Sequence, residues 1–384
     1  MIKKILLTIL CALLLQGLYA NVNLDVKIYT GYSINSVKVQ PLIGKYSVYE
    51  NDKLRDEVLK TETIEFSVAG DSVLVRKDGR SIGMFMTVTL SGAGLINSFL
   101  ITPLTSGARE REYDDDLRIS VVNGVLQIIN HVDLEDYIAG VVQSEGGGST
   151  KENEFYIVQA ICCRTYALNN SRKHVSEGYN LCDSIHCQLY SGKCKNPNIQ
   201  AAVFQTAGDV IVDKNMHMIS AAFHSNSGGM TANSEDVWSI ETPYLKSVVD
   251  TFSLSMTNAR WEKTMSVDEW LNFLKTFFNY PTDLAEKRAL ALNYSQDQRK
   301  AYFDNGIRLA DIRKGLGLRS AYFSVKQSGD QVVFYGKGYG HGVGLSQQGA
   351  IRMAQLGHGY RDIIKFYYKD VEIMSYEQVM IRNY

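Results

Sequence analysis

Residues 117–145 read LRISVVNGVLQIINHVDLEDYIAGVVQSE. In the first half Leu117, Ile119 and Val121, then Leu126 and Ile128, recur every second residue. Asn123-Gly124 between them is the sequence of a type I′ turn, so 117–130 predicts a β-hairpin. The second half changes period. Leu134, Ile138, Val141 and Val142 fall at helical spacing, and Asp133 stands where an N-cap is expected. A hairpin that hands directly to an amphipathic helix predicts an α+β fold.

Working outward, residues 21–108 are mostly of period two. The segments VKIYTGYSINSVKV, KYSVYEN, TIEFSVAGDSVLVRKDG and GMFMTVTLSG predict short strands broken by Gly, Asn and Asp turns, hence a β-rich N-terminal region. Residues 109–384 read as a mixed α+β domain. Its second helix, 151–170, places Phe155, Val158, Cys162, Thr165 and Leu168 on an apolar side with Arg164 near its edge. Ser266 and Glu269 have capping-box spacing. Residues 281–304 read as a charged helix and 319–338 as strands. SQQGAIRMAQLG reads as a helix that opens at Ser346-Gln347 and ends at Gly357.

The chain has 384 residues, 45% hydrophobic and 21% charged, enough for two domains with sizeable cores. A formal net charge of −1 argues against nucleic acid as a partner. Residues 1–20, MIKKILLTILCALLLQGLYA, pair Lys3 and Lys4 with an apolar run ending at Leu15. This pattern predicts a cleavable secretory signal, hence a secreted or periplasmic protein with no stable transmembrane segment after cleavage. Cleavage would leave five cysteines, Cys162, Cys163, Cys182, Cys187 and Cys194. An odd count leaves at least one thiol free, bound to metal or paired between molecules.

Glu145 ends an apolar run and is followed by Gly146-Gly147-Gly148. At the negative pole of a helix its charge costs about 0.3–1 kcal/mol, which raises its pKa by only about 0.2–0.7. Partial burial beside Val141 and Val142 would have to supply the rest needed for a general acid near neutral pH. The alternative is a poorly placed surface acid. Cys182, His186 and Cys187 offer dense zinc ligands, with His174 as a fourth, and a disulfide is the competing use of the cysteines. His224, Ser225 and Ser227 precede paired glycines in a pattern better suited to holding a sugar than to a serine hydrolase. The glycine loop GKGYGHGVGLSQQG satisfies neither the Walker nor the Rossmann spacing. It leaves His341, Ser346 and Gln347 as polar candidates, against a purely structural tight turn.

The blocks DLEDYIAGVVQSE, VQAICCRTYAL, LCDSIHCQLYSG, AAFHSNSGGMT, DVWSIETPYL and GKGYGHGVGLSQQGA, in this order, resemble the stage II sporulation protein D (SpoIID) family of lytic transglycosylases and the related LytB amidase enhancers. The resemblance spans about residues 109–370. It implies cleavage of peptide-free peptidoglycan glycan strands with formation of 1,6-anhydro-muramic ends, Glu145 acting as the catalytic acid/base. It also implies Gln159, Arg164, His224, Ser225, Ser227, His341, Ser346 and Gln347 as substrate contacts, and zinc on His174, Cys182, His186 and Cys187. A non-catalytic, glycan-binding enhancer of a cell-wall amidase is the alternative that it leaves open. Gly146-Gly147-Gly148 replaces the family's usual Met-Pro after the glutamate, and Phe223 replaces a tyrosine. A sporulation role does not transfer, so wall remodelling is the expectation.

Overall fold

The computed structural model describes residues 22–382 apart from 106, 147, 149 and 305; the signal sequence expected at 1–20 lies outside the described residues. The architecture is α+β with a β-rich N-terminal region, as the period change at residue 130 predicts. The chain divides into two compact units. One runs through Ser149 and takes in Ala167–Gly208; the other comprises Thr150–Tyr166 and Asp209–Tyr384.

The first unit is built on a seven-stranded and a six-stranded sheet. Alternation decides which face is buried: Val37 and Val39, Ile64 and Phe66, Val73 and Val75, Val88 and Leu90 are all almost fully enclosed. The hairpin forms as read, Asp116–Val122 against Val125–Asp133. Asn123 (φ 53°) and Gly124 (φ 77°) are both left-handed, as a type I′ turn demands. Strand Val125–Asp133 also pairs antiparallel with Asn23–Lys27, which pairs in parallel with the short strand Leu181–Cys182. The cysteine-bearing segment is thus tied to the sheet through the first described strand.

That attachment is clamped by Asp183, whose side chain is almost wholly buried. Its carboxylate accepts the backbone N–H of Tyr29 at 2.7 Å and of Thr30 at 3.0 Å, and pairs with Arg111 at 2.9 Å.

The second unit contains a three-stranded sheet, ordered Arg260–Ser266, Gln331–Lys337, Phe323–Ser328. Helices Val267–Phe278, Ala285–Leu292 and Leu309–Leu316 share its core around Trp270, Phe303, Phe323 and Phe334. Ser266 caps its helix by accepting Glu269 N–H at 3.1 Å, as its spacing predicts. The expectation of a helix over 281–304 is corrected: only Ala285–Leu292 is helical there. Tyr294 instead offers its carbonyl to Val325 N–H (2.8 Å), and the Gln296 amide donates to Ala321 and Phe323 carbonyls (3.1 and 2.7 Å). Tertiary pairing overrides a helical propensity that is only a weak prior. Helix Asn153–Asn169 departs from its expected amphipathic form in the same way. Residues 155–165 are buried on every side, Arg164 included.

Removing the Asp183 carboxylate leaves two buried N–H groups and one guanidinium unpaired. Asp183→Ala is expected to lower unfolding free energy by about 2–4 kcal/mol, with Asp183→Asn losing about half of that. Urea denaturation checks it; an unchanged midpoint contradicts the clamp.

Candidate functional site

Helix Leu134–Gly146 begins where Asp133 accepts the Glu135 N–H at 2.8 Å and ends one residue beyond Glu145. Its last turn is a set of hooks for the loop that leaves Cys187. Gln143 Oε1 accepts the N–H groups of Lys195 (2.7 Å) and Asn196 (3.1 Å). Ser144 Oγ accepts Ser191 N–H at 2.9 Å and donates to the Gly140 carbonyl at 2.8 Å. Glu145 Oε1 accepts Leu189 N–H at 3.0 Å. Gly140 is required on this face, because a Cβ there would collide with the Tyr190 ring and the Gly192 carbonyl.

Glu145 is partly buried. Burial pushes its pKa above the ordinary glutamate value, and the Leu189 N–H works in the opposite direction by favouring the carboxylate. A helix-end acid in this setting holds its proton to higher pH than a solvated one, and one oxygen is fixed in direction.

Two residues before Leu189 the same loop carries the cysteine–histidine group. Ligand atoms of His174, Cys182, His186 and Cys187 all lie within 4.8 Å of one another. Cys187 Sγ is 3.5 Å from His174 Nε2 and 3.9 Å from His186 Nδ1, and Cys182 Sγ is 3.8 Å from His186 Nδ1. Tetrahedral zinc with its usual S and N bond lengths would set such edges at about 3.6 Å, so the donors fit that ion. His174 Nδ1 meets Glu177 Oε1 at 2.6 Å, which leaves Nε2 as the ligating atom. The Tyr179 ring stacks on His174 at 4.8 Å, and its hydroxyl donates to the other Glu177 oxygen at 2.8 Å. None of the five described cysteines, Cys162, Cys163, Cys182, Cys187 and Cys194, forms a disulfide.

The other candidates lie in the second unit. Arg164 is fully buried and donates through Nη1 to the Asp209 carbonyl at 3.1 Å. Gln159 is fully buried as well; its Nε2 meets Cys163 Sγ at 3.4 Å and its Oε1 has no partner. Neither presents atoms to solvent, whereas the resemblance implies substrate contacts at both. His224 Nδ1 donates to the Val343 carbonyl at 3.1 Å, leaving Nε2 as a buried acceptor with no partner. His341 Nε2 donates to the Phe223 carbonyl at 2.9 Å and Nδ1 accepts Val343 N–H at 3.1 Å. Both tautomers follow from these partners, and burial keeps both rings neutral, His224 well below the ordinary histidine value and His341 down to about 4. The rings lie 5.5 Å apart, with Trp238 5.2 Å from His341.

Ser346 caps helix Gln347–Gln355 by accepting Gly349 N–H at 3.2 Å, and also accepts Ser227 N–H at 3.2 Å. Gln347 Nε2 is buried without a partner among the described residues. Ser227 Oγ donates to Asp250 Oδ2 at 2.7 Å and lies 2.8 Å from Ser253 Oγ, while Ser225 accepts the Asn258 amide at 3.0 Å.

No sequence pattern marks Asp250, Glu177, Asp183 or Arg299. Arg299 is the strongest of these: Nε and Nη2 donate to the carbonyls of Met230 and Ser227, both at 3.0 Å, and its guanidinium lies 5.0 Å from the Tyr322 ring centre. A Cβ at Gly342 would collide with it. It therefore joins the two glycine-rich motifs from a stretch, SQDQRK, with no motif of its own.

Fold and site define an α+β protein in which a metal-competent cysteine–histidine group and a partly buried helix-end glutamate share one loop. The profile of the family described as Stage II sporulation protein (SpoIID) matches residues 122–212. Stage II sporulation protein D of Bacillus subtilis is 31% identical over 289 residues, covering 71% of this chain and 82% of that protein. An uncharacterized protein of Brachyspira hyodysenteriae is 31% identical over 277 residues, covering 70% and 74%. An amidase enhancer of Bacillus subtilis is 28% identical over 271 residues, covering 57% of this chain and 37% of the enhancer. The chain belongs to the stage II sporulation protein D family. Among the described residues no helix is long and apolar enough to cross a membrane.

The neutral His341 has a measurable consequence. Between about 4 and the ordinary 6.5, the unfolded chain binds a proton at this residue that the folded chain does not. Its contribution to stability is therefore present above 6.5 and is lost as pH falls toward about 4. Unfolding free energies from urea melts at pH 5 and pH 7 are expected to differ more in wild type than in His341→Gln; equal differences contradict the assignment.

Proposed function

We propose that this protein is an exported lytic transglycosylase that cuts peptide-free peptidoglycan glycan strands during wall remodelling, with Glu145 as its acid/base. The observation that carries this reading is the Glu145 carboxyl group at the helix end, its pKa raised by burial and one oxygen fixed by Leu189 N–H. A hydrolytic glycosidase needs two carboxyl groups, one of them to activate water or attack the sugar. Intramolecular closure needs one. Protonated Glu145 gives its proton to the glycosidic oxygen as the C1–O bond breaks. The C6 hydroxyl of the same sugar attacks C1, and the carboxylate takes the proton that this hydroxyl releases. No water is consumed, and the acid form is regenerated.

His174, Cys182, His186 and Cys187 would hold zinc. Four protein donors leave no open position, so bound zinc supplies cross-linking of the loop rather than Lewis acidity. Glu177 orients His174 for that set, and Leu189, two residues beyond Cys187, presents its N–H to Glu145. The signal read at residues 1–20 would place the protein in the cell envelope. Similarity to an amidase enhancer supports a second reading, in which the chain binds glycan and promotes an amidase without cleaving.

Digestion of peptide-free glycan separates the two. Wild type is expected to yield anhydro-muramic ends by mass spectrometry, and Glu145→Gln at least about 1000-fold fewer, a loss of about 4 kcal/mol in transition-state stabilisation. Equal yields from both overturn the mechanism, and binding without products from wild type supports the enhancer. Zinc binding has its own test. Glu177→Gln is expected to weaken it about 10–100-fold in competition with a chromophoric chelator; unchanged affinity contradicts the orienting role of Glu177.

A further inference from the structure

The second unit contains a groove of about 920 Å³, within the size range of small-ligand sites. Its floor is the outward face of the three-stranded sheet. In register, Arg260 stands opposite Lys337, and Glu262 opposite Tyr335. One wall is the Gly228-Gly229 turn with Val249 and Leu254. Gly228 and Gly229 allow that wall to close in, since Cβ atoms there would meet the Lys337 backbone and the Leu254 side chain.

Three observations describe what fits. Tyr335 is 45% exposed, and neither its ring nor its hydroxyl has a partner among the described residues. Its free face suits the C–H face of a sugar ring. Val249 and Leu254 are 65% and 48% exposed, apolar surface suited to acetyl or lactyl methyl groups. Arg260 and Lys337 place like charges directly across two strands, a pairing that costs stability, and no carboxylate pairs with either among the described residues. Lys337 Nζ lies 4.7 Å from the Tyr322 ring centre, and the exposed Arg260 side chain has no hydrogen-bond or ion-pair partner among the described residues. An anion relieves that repulsion. Glu262, opposite Tyr335 and without an ion-pair partner among the described residues, can accept hydrogen bonds from hydroxyl or amide groups.

A muramic sugar stripped of its peptide combines all of these: a ring, two methyl-bearing substituents, hydroxyls and one lactyl carboxylate. We propose that the groove is a subsite for the muramic sugar of a peptide-free glycan strand, with Tyr335 stacking on the ring and Arg260 and Lys337 receiving its lactyl carboxylate. This rests on the glycan reading above and deepens it. The preference for stripped strands then has a physical source, because a stem peptide turns this carboxylate into a neutral amide.

The test uses the full chain carrying Glu145→Gln, so that ligand survives, and compares peptide-free muramic oligosaccharides with chitin oligosaccharides of equal length by calorimetry. The muramic ligand is expected to bind about five-fold tighter, a preference that shrinks with added salt and disappears in Arg260→Glu. Tyr335→Ala is expected to weaken both ligands about ten-fold. Both side chains are exposed, and matching thermal melts verify that the variants fold. The proposal is overturned if wild-type groove residues give no preference, if Arg260→Glu keeps it, if neither sugar binds, or if an acidic peptide of equal charge competes as well as the muramic ligand. It is separable from the catalytic reading. Preference without anhydro products from Glu145-bearing protein leaves the subsite and removes the chemistry; products with the preference unchanged in Arg260→Glu do the reverse.

Discussion

One short segment controls the geometry of the candidate site. The last turn of helix 134–146 holds residues 189–196 through three consecutive side chains, Gln143, Ser144 and Glu145, each accepting backbone N–H groups. Those N–H groups belong to a loop with no regular structure of its own, so the helix side chains supply acceptors that a strand or helix would otherwise provide. Glu145 thereby has two properties at once: its burial raises its proton affinity, and its hydrogen bond sets its direction. Without the loop, it is an exposed acid at the unfavourable end of a helix.

The loop is anchored at its other end too. Leu181–Cys182 adds to the edge of a sheet, Asp183 clamps the same residues to Tyr29, Thr30 and Arg111, and the cysteine–histidine group follows directly. Anchoring a loop at both ends reduces the conformational freedom that would let a functional carboxyl drift. In the second unit the same economy recurs with Arg299, whose guanidinium spans the carbonyls of Ser227 and Met230 and packs against Gly342.

Local pattern made part of this legible. The hairpin turn, the helix that carries Glu145 in its last turn, the Ser266 cap and the Ser346 cap all depend on neighbours within four residues, and the sequence displays them directly. The clamp at Asp183 does not, because Tyr29 and Thr30 lie 154 and 153 residues away in the chain. Arg299 sits in a polar stretch that periodicity reads as helix, while tertiary pairing of Tyr294 and Gln296 pulls the backbone elsewhere. Sequence periodicity places Arg164 at the edge of an apolar stripe, which presupposes that its helix has a solvent face. Residues 155–165 are buried on every side, so the stripe has no edge there. Of the metal-competent set, Cys182, His186 and Cys187 are visible as a cluster in sequence. His174 joins them through a fold that Glu177 and Tyr179 fix, and neither of those carries a motif signal.

The claim on which all of this rests is that Glu145 holds its proton more tightly than a solvated glutamate while hydrogen-bonded to the loop. An NMR titration that follows the Glu145 side-chain carboxyl carbon and the Leu189 amide together tests it directly. The carboxyl midpoint is expected above the ordinary glutamate value, with the Leu189 amide shifting at the same midpoint. A midpoint at or below that value, with a Leu189 amide that does not respond, would contradict the account.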